Sequence, residues 1–180
     1  MNPTRLAPLR RALDMDLDLC VRCNRLADIA ALRRFFARIS RLGDGVFWYT
    51  LILLLPMLYG TDAIAVSIQM AATGVIGLII YKLLKGHTLR ERPYQVTPAI
   101  RLGTAPLDHF SFPSGHTLHA ISFSTVAVTH YPELAWVLAP FTVLVMASRV
   151  VLGLHYPSDV AAGALIGWAI AHLSFYFIQS

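Results

Sequence analysis

His155 and Asp159 stand four residues apart, with Pro157 and Ser158 between them, just after a strongly apolar run. Pro157 favours a first helical turn, Ser158 can cap it, and Asp159 beside the new helix start is well placed to orient His155. An imidazole held by a carboxylate through one nitrogen is a stronger nucleophile or base at the other. Arg149 lies inside the apolar run that begins near Leu134. An arginine at membrane depth is costly and reads as functional, with an anionic partner expected, yet no neighbour in sequence supplies that anion. The plain alternative is an arginine that snorkels and a histidine at the interface.

Two further groups have chemistry that fits an anion. Phe112-Pro113-Ser114-Gly115-His116 precedes another apolar run. Ser114 suits a helix N-cap, Gly115 lets backbone approach a ligand, and the free amides of a new helix favour phosphate. His116 beside them is suited to giving a proton to a departing oxygen. Lys85 and Arg92, with Pro93 fixing the chain after them, supply a mobile point charge and a planar fork. Together they suit a tetrahedral dianion better than a flat carboxylate. Arg90, Arg101 and Lys82 are read as ordinary juxtamembrane charge.

The elements that must position these groups are membrane helices. The 180 residues are 56% hydrophobic and only 14% charged, with mean hydropathy +0.59, far more apolar than an ordinary globular domain. The net charge of +5 and pI near 9.6 match anionic lipid headgroups, and no nucleic-acid motif offers another partner. Residues 1–44 hold nine of the 15 basic residues: Arg5, Arg10, Arg11, Arg22, Arg25, Arg33, Arg34, Arg38 and Arg41. From 17 to 42 the apolar residues recur at three- and four-residue spacing, which predicts an amphipathic helix at the interface with its arginines towards phosphates. Cys20 and Cys23 have Cys-x-x-Cys spacing but no second pair, so neither a metal nor a redox centre is expected. Asp14, Asp16 and Asp18 interrupt what would be the apolar part of a signal peptide.

After Gly43-Asp44-Gly45, spans are expected over 46–60, 63–84, 116–131, 134–153 and 160–178. The expected fold is therefore an all-α polytopic membrane bundle of about five transmembrane helices plus the N-terminal interfacial helix. Residues 1–44 form the basic segment, and 45–180 the membrane-embedded part with the motifs between 85 and 159. Small residues Ala71, Ala72, Gly74 and Gly77 in the second span permit close packing. With five spans, Lys85, Arg92, His116, Arg149, His155 and Asp159 all fall on one membrane face. The opposite connections, 59–62 and 131–133, carry no lysine or arginine.

Taken together, these groups resemble the type 2 phosphatidic acid phosphatase superfamily, lipid phosphate phosphatases that share a helical core with vanadium haloperoxidases. That family's motifs are Lys-x6-Arg-Pro, Pro-Ser-Gly-His and Ser-Arg-x5-His-x3-Asp. The chain carries each intact: Lys85 with Arg92-Pro93, Pro113 to His116, and Ser148-Arg149 with His155 and Asp159. The resemblance covers about the last two thirds of the chain. It implies that His155 attacks phosphorus to form a phosphohistidine, Asp159 orients it, and His116 protonates the leaving lipid alcohol. Lys85, Arg92, Ser114, Gly115 and Arg149 would hold the phosphoryl oxygens. No metal and no cofactor are implied.

The resemblance also implies a multi-pass protein of the bacterial inner membrane, with its site facing the periplasm or exterior. The positive-inside rule points the other way, because it draws the basic N-terminus, and with five spans the site, towards the cytoplasm. Phosphatidic acid, phosphatidylglycerol phosphate and undecaprenyl diphosphate are candidate substrates, entering sideways from the bilayer. A lipid phosphotransferase using the same intermediate and a non-catalytic lipid-binding or transport protein are the alternatives. Intact His116, His155 and Asp159 argue against the latter. His87, His109, His119, His130 and His172 are assigned no chemistry, although His119, one turn beyond His116, is placed to line the site or pack beside it. Asp108 and Glu91 are groups able to tune a neighbour.

Overall fold

Apolar runs punctuated by proline, glycine and polar turns fold as eight α-helices, with no strand among the described residues. The computed structural model describes residues 3–179, and side chains over 10–177. Arg5 and the expected end of the last span at 178 lie outside the described side chains. The helices are α1 (Pro3–Asn24), α2 (Ala30–Arg41), α3 (Phe47–Tyr59), α4 (Ala63–Thr88), the single turn α5 (Pro93–Val96), α6 (Gly115–His130), α7 (Ala135–Val151) and α8 (Pro157–Gln179).

Among the described residues, four stretches are long and apolar enough to cross a membrane: Ala30–Tyr59, Ala63–Val96, Pro132–Val151 and Pro157–Phe177. The expected span at 116–131 corresponds to α6, which has 16 residues, or about 24 Å at 1.5 Å per residue, short of a ~30 Å hydrocarbon core. It is the inner helix, packed against α4, α7 and α8. Its partner face on α8 is made by Gly163 and Gly167, where an added Cβ would lie 2.5 Å from Ser114 O and 2.2 Å from Leu118 O. In α4, Gly74 and Gly77 make room for Phe123 and Leu118, as their small size suggested. Trp48, Leu55, Met70, Phe123, Val126, Leu138 and Val145 fill the space between these helices. At the end away from Lys85, His116 and His155, Tyr59 stacks on Tyr131 with centroids 3.9 Å apart.

The single amphipathic helix expected over 17–42 is instead two. Asn24 ends α1 because its side chain is buried among backbone groups, donating to Arg101 O (2.9 Å) and Val151 O (2.8 Å) and accepting from Arg101 N (2.7 Å). A short 3-10 turn, Arg25–Asp28, and extended Ile29 then redirect the chain into α2. Nor does Gly43-Asp44-Gly45 end the helical path. Leu42–Val46 is a π-helical turn, kinked at Gly45 (φ 140°), that joins α2 to α3. α1 packs on α7 and α8 around Cys20, Ile100, Val150, Tyr156 and Val160.

Candidate active site

The end of α7 delivers the first histidine. Gly153 takes φ 73°, a left-handed conformation that β-carbon-bearing residues resist, and the chain turns so that Leu154 N and His155 N both donate to Arg149 O (3.0 and 3.1 Å). Pro157 then opens α8, and Asp159 Oδ2 accepts from Tyr156 N at 2.9 Å. That oxygen lies 3.7 Å from His155 Nδ1, which has no closer partner. Arg92 Nη1 donates to Leu154 O (2.7 Å) and sits 3.2 Å from His155 Nε2. A guanidinium only donates, so Nε2 presents its lone pair and the imidazole proton resides on Nδ1, towards Asp159. Burial, followed by the charges of Arg149, Arg92 and Lys85, holds His155 well below the usual histidine pKa, so the ring is neutral.

α6 starts beside it. Ser114 caps the helix as expected, accepting from Thr117 N, and its own N–H donates to Asp159 O at 3.1 Å. Its hydroxyl faces Thr117 Oγ1 (3.0 Å), so Ser114 fixes the helix end and does not line the cavity below. His116 bonds through Nε2 to Asp44 Oδ1 of the π-helical turn. α4 runs about 33 Å from Ala63 to Lys85, far enough to carry the amine past the hydrocarbon edge. There Lys85 Nζ and Arg92 Nη2 converge on Asp108 Oδ1, at 2.5 and 2.7 Å. Burial works against that carboxylate, but the hydrogen bonds and charges of Lys85 and Arg92 outweigh it and hold the pKa below the usual range. Arg149, buried, bonds to Ser40 of α2 and leaves its Nε without a protein partner.

These groups end one cavity of about 580 Å³, lined by Lys85, Arg92, Gly115, His116, Arg149 and His155. Trp48, Ile52 and Leu53 of α3 and Ala71, Val75 and Leu78 of α4 continue its walls as apolar surface. Cations, helix amides, a neutral histidine whose Nε2 lone pair is turned to Arg92 and a second histidine on a carboxylate can bind a tetrahedral anion and move a proton.

Residues 63–180 match the family model described as PAP2 superfamily. The chain belongs to the PAP2 superfamily. It is 32% identical over 148 residues to a protein of Sulfolobus acidocaldarius named undecaprenyl-diphosphatase, covering 81% of this chain and 70% of that one. It is 35% identical over 79 residues to Escherichia coli phosphatidylglycerophosphatase B, across 39% of this chain and 30% of the relative. Among solved structures, Aquifex aeolicus LpxE superposes with TM-score 0.77 at 26% identity, covering 89% of this chain and 94% of that chain. The Bacillus subtilis PAP2-type phosphatidylglycerolphosphate phosphatase gives 0.68 at 25% identity, covering 94% and 87%. This is a multi-pass membrane protein of all-helical PAP2 fold.

The structure of this PAP2 chain gathers every residue singled out from sequence, with Asp159 and Ser114 behind the cavity wall and the other six lining it. It adds four that the sequence reading did not place in the site. Arg90 donates to Asp159 Oδ1 (2.6 Å), Ser158 Oγ (2.7 Å) and Asp16 Oδ2 (2.8 Å), and lies 3.9 Å over the Tyr156 ring. Asp16 also accepts from Ser158 N at 3.0 Å. Asp44 and Asp108 are the other two. The signal available for Arg90 was its place two residues before Arg92 on a segment that must enter the site. His119 both packs and lines the cavity, its ring nitrogens 2.9 and 3.1 Å from Gly115 O and Gly74 O. Burial pushes the Cys20 thiol up to about 12, so it packs as a neutral group, 3.7 Å from His155 O.

Proposed function

We propose that this chain is an integral membrane phosphatase that hydrolyses the phosphomonoester or diphosphate of a lipid through a phosphohistidine intermediate. The observation that carries the reading is the cavity in which His155, Lys85, Arg92 and Arg149 meet the apolar walls of α3 and α4. Leu53 and Val75 on those walls are also exposed on the outer surface of the bundle, which suits a hydrocarbon tail arriving from the bilayer.

His155 Nε2 attacks phosphorus, the bond to the leaving oxygen breaks, and His116, made an imidazolium by the negative charge of the bound phosphate together with Asp44, gives that oxygen its proton. Asp159 stabilises the positive charge that grows on the imidazole. Water then attacks phosphorus, its proton passes to His116, and the P–N bond breaks to return neutral His155 and inorganic phosphate. Lys85, Arg92, Arg149 and the amides of Gly115 and His116 stabilise the phosphoryl oxygens, with Ser114 fixing that helix end. The relatives named undecaprenyl-diphosphatase, which match most of this chain, favour a polyprenyl diphosphate as first donor ahead of phosphatidylglycerol phosphate and phosphatidic acid. The same reading takes the protein to reside in the bacterial inner membrane with its site open to the periplasm or exterior. Exposed Arg34, Arg38 and Arg41 of α2 then face anionic headgroups.

The test is phosphate release by detergent-purified protein from these three lipids, with chelator present, beside His155→Ala. Release that survives the chelator and disappears in the variant supports the mechanism. Folded protein that releases phosphate from none of them sinks the hydrolase reading, and release that requires a second lipid as acceptor identifies a phosphotransferase.

A further inference from the structure

Lys85 and Arg92 leave few donors free for a substrate. Lys85 Nζ donates to Phe110 O at 3.0 Å, Arg92 Nε to Asp108 O at 3.0 Å, and Arg92 Nη1 to Leu154 O at 2.7 Å. No ligand displaces those backbone carbonyls without unravelling the two segments that carry them, the one before α6 and the turn between α7 and α8. The acceptor the two cations share is a side chain, Asp108 Oδ1, and it occupies the point on which both converge. A phosphoryl oxygen that is to use both cations needs that same point. Two anionic oxygens at one position repel, and the cations cannot neutralise both as well as either alone.

Resting on the phosphatase reading above, we infer that Asp108 is an exchangeable internal anion of the phosphate cradle and, through that exchange, a specificity-determining residue. Its carboxylate keeps Lys85 and Arg92 ordered, and substrate binds by taking its place. The side chain has room to leave: it is 32% exposed, whereas that of Arg92 is 1% exposed, and it follows Leu107, itself exposed at the cavity edge. The exchange sets a threshold. A terminal phosphate or diphosphate brings two negative charges and several oxygens, so it can replace the carboxylate while also engaging Arg149 and the head of α6. A phosphodiester brings one negative charge and no surplus over the carboxylate it must displace. In a bilayer made largely of phosphodiester headgroups, such a threshold rejects the abundant lipid in favour of the rare one.

The experiment measures binding of orthovanadate and of dimethyl phosphate to purified wild type, Asp108→Asn, Asp108→Ala and Asp108→Glu, by calorimetry in one detergent and buffer. Loss of the charge is expected to tighten orthovanadate by about tenfold and to bring dimethyl phosphate into measurable range, in both Asn and Ala variants. The Glu variant, which keeps the charge, is expected to discriminate more like wild type. Unchanged or weaker oxyanion binding in folded Asn and Ala variants overturns the proposal, because Asp108 is then a fixed orienter of the cations. Failure of both variants to fold overturns it too, since an exchangeable anion is dispensable to the fold. Wild type that hydrolyses lipid phosphate while its variants do not tighten leaves the phosphatase reading standing. Wild type that neither binds orthovanadate nor releases phosphate removes both.

Discussion

Arg90 Nη1 donates to Asp159 Oδ1 at 2.6 Å while Asp159 Oδ2 faces His155 Nδ1 at 3.7 Å, so one buried carboxylate links an arginine outside the cavity to the histidine proposed as nucleophile. Asp159 has no exposed side-chain surface and Arg90 is 23% exposed, which makes the pair costly to break from one side.

Arg90→Ala is expected to lower stability by about 3 kcal/mol, the low end for an orphaned buried charge because Arg90 keeps some solvent. Misplacement of the His155–Asp159 couple is expected to lower kcat by about 100-fold with little change in KM, since Arg90 does not line the cavity. Arg90→Lys should recover part of both. Thermal unfolding in detergent and steady-state phosphate release measure the two effects. A fall in KM-linked binding with kcat preserved would contradict a positioning role.

How much of this site was legible in sequence follows from where the partners sit along the chain. His116, His155 and Asp159 occur within short motifs that open helices, so capping chemistry and spacing identify them. Asp16 lies 142 residues from Ser158 and 74 from Arg90, and an aspartate in an arginine-rich amphipathic segment carries no local mark of its partner. Asp44 sits between two glycines, which read as a helix break, whereas the backbone there stays wound as a π turn and turns the carboxylate towards His116. The bundle itself was readable from apolar runs. The apolar run of α6 was readable too, but not its place at the centre of the bundle, because an apolar 16-residue run has the same composition whether lipid or protein covers it.

Asp44→Asn keeps the shape beside His116 and removes the charge that favours an imidazolium. If His116 is the acid, the loss depends on the leaving group. A lipid phosphomonoester expels an alkoxide and is expected to slow by about 100-fold. A lipid diphosphate expels a phosphate, which needs the proton less, and should slow by much less. Paired rates on phosphatidic acid and undecaprenyl diphosphate check this, and equal losses on both would remove His116 from the acid role.

The neutral state of His155 has a consequence for stability in acid. Its folded pKa lies below the 6.5 of a free histidine, chiefly through burial, so below pH 6.5 the unfolded chain takes up a proton that the folded protein refuses. Stability from this residue is present above 6.5 and falls as pH drops below it, on the order of 1 kcal/mol per pH unit until the folded pKa is reached. Asp108 is depressed from 3.8 and loses its contribution only in more acidic solution. The unfolding free energy is therefore expected to fall more steeply between pH 7.5 and 5 for wild type than for His155→Gln. Parallel profiles would mean that the ring is protonated in the folded protein.

Packing of α8 on α6 ties stability to the site. An added Cβ at Gly167 would lie 2.2 Å from Leu118 O, a backbone atom that cannot step aside without moving α6. Gly86, near the exposed end of α4, has nothing within 4 Å of the same position. Gly167→Ala is expected to cost about 2–3 kcal/mol through overpacking, whereas Gly86→Ala should be neutral or stabilise by about 0.5–1 kcal/mol. Because Ser114 N donates to Asp159 O across the same helix pair, Gly167→Ala should also separate the head of α6 from His155 and lower activity at temperatures where the variant remains folded. Unfolding curves with phosphate release measured 10 °C or more below each midpoint separate the two effects. An active site indifferent to Gly167→Ala would mean that the heads of α6 and α8 hold their geometry independently of the helix contact beneath them.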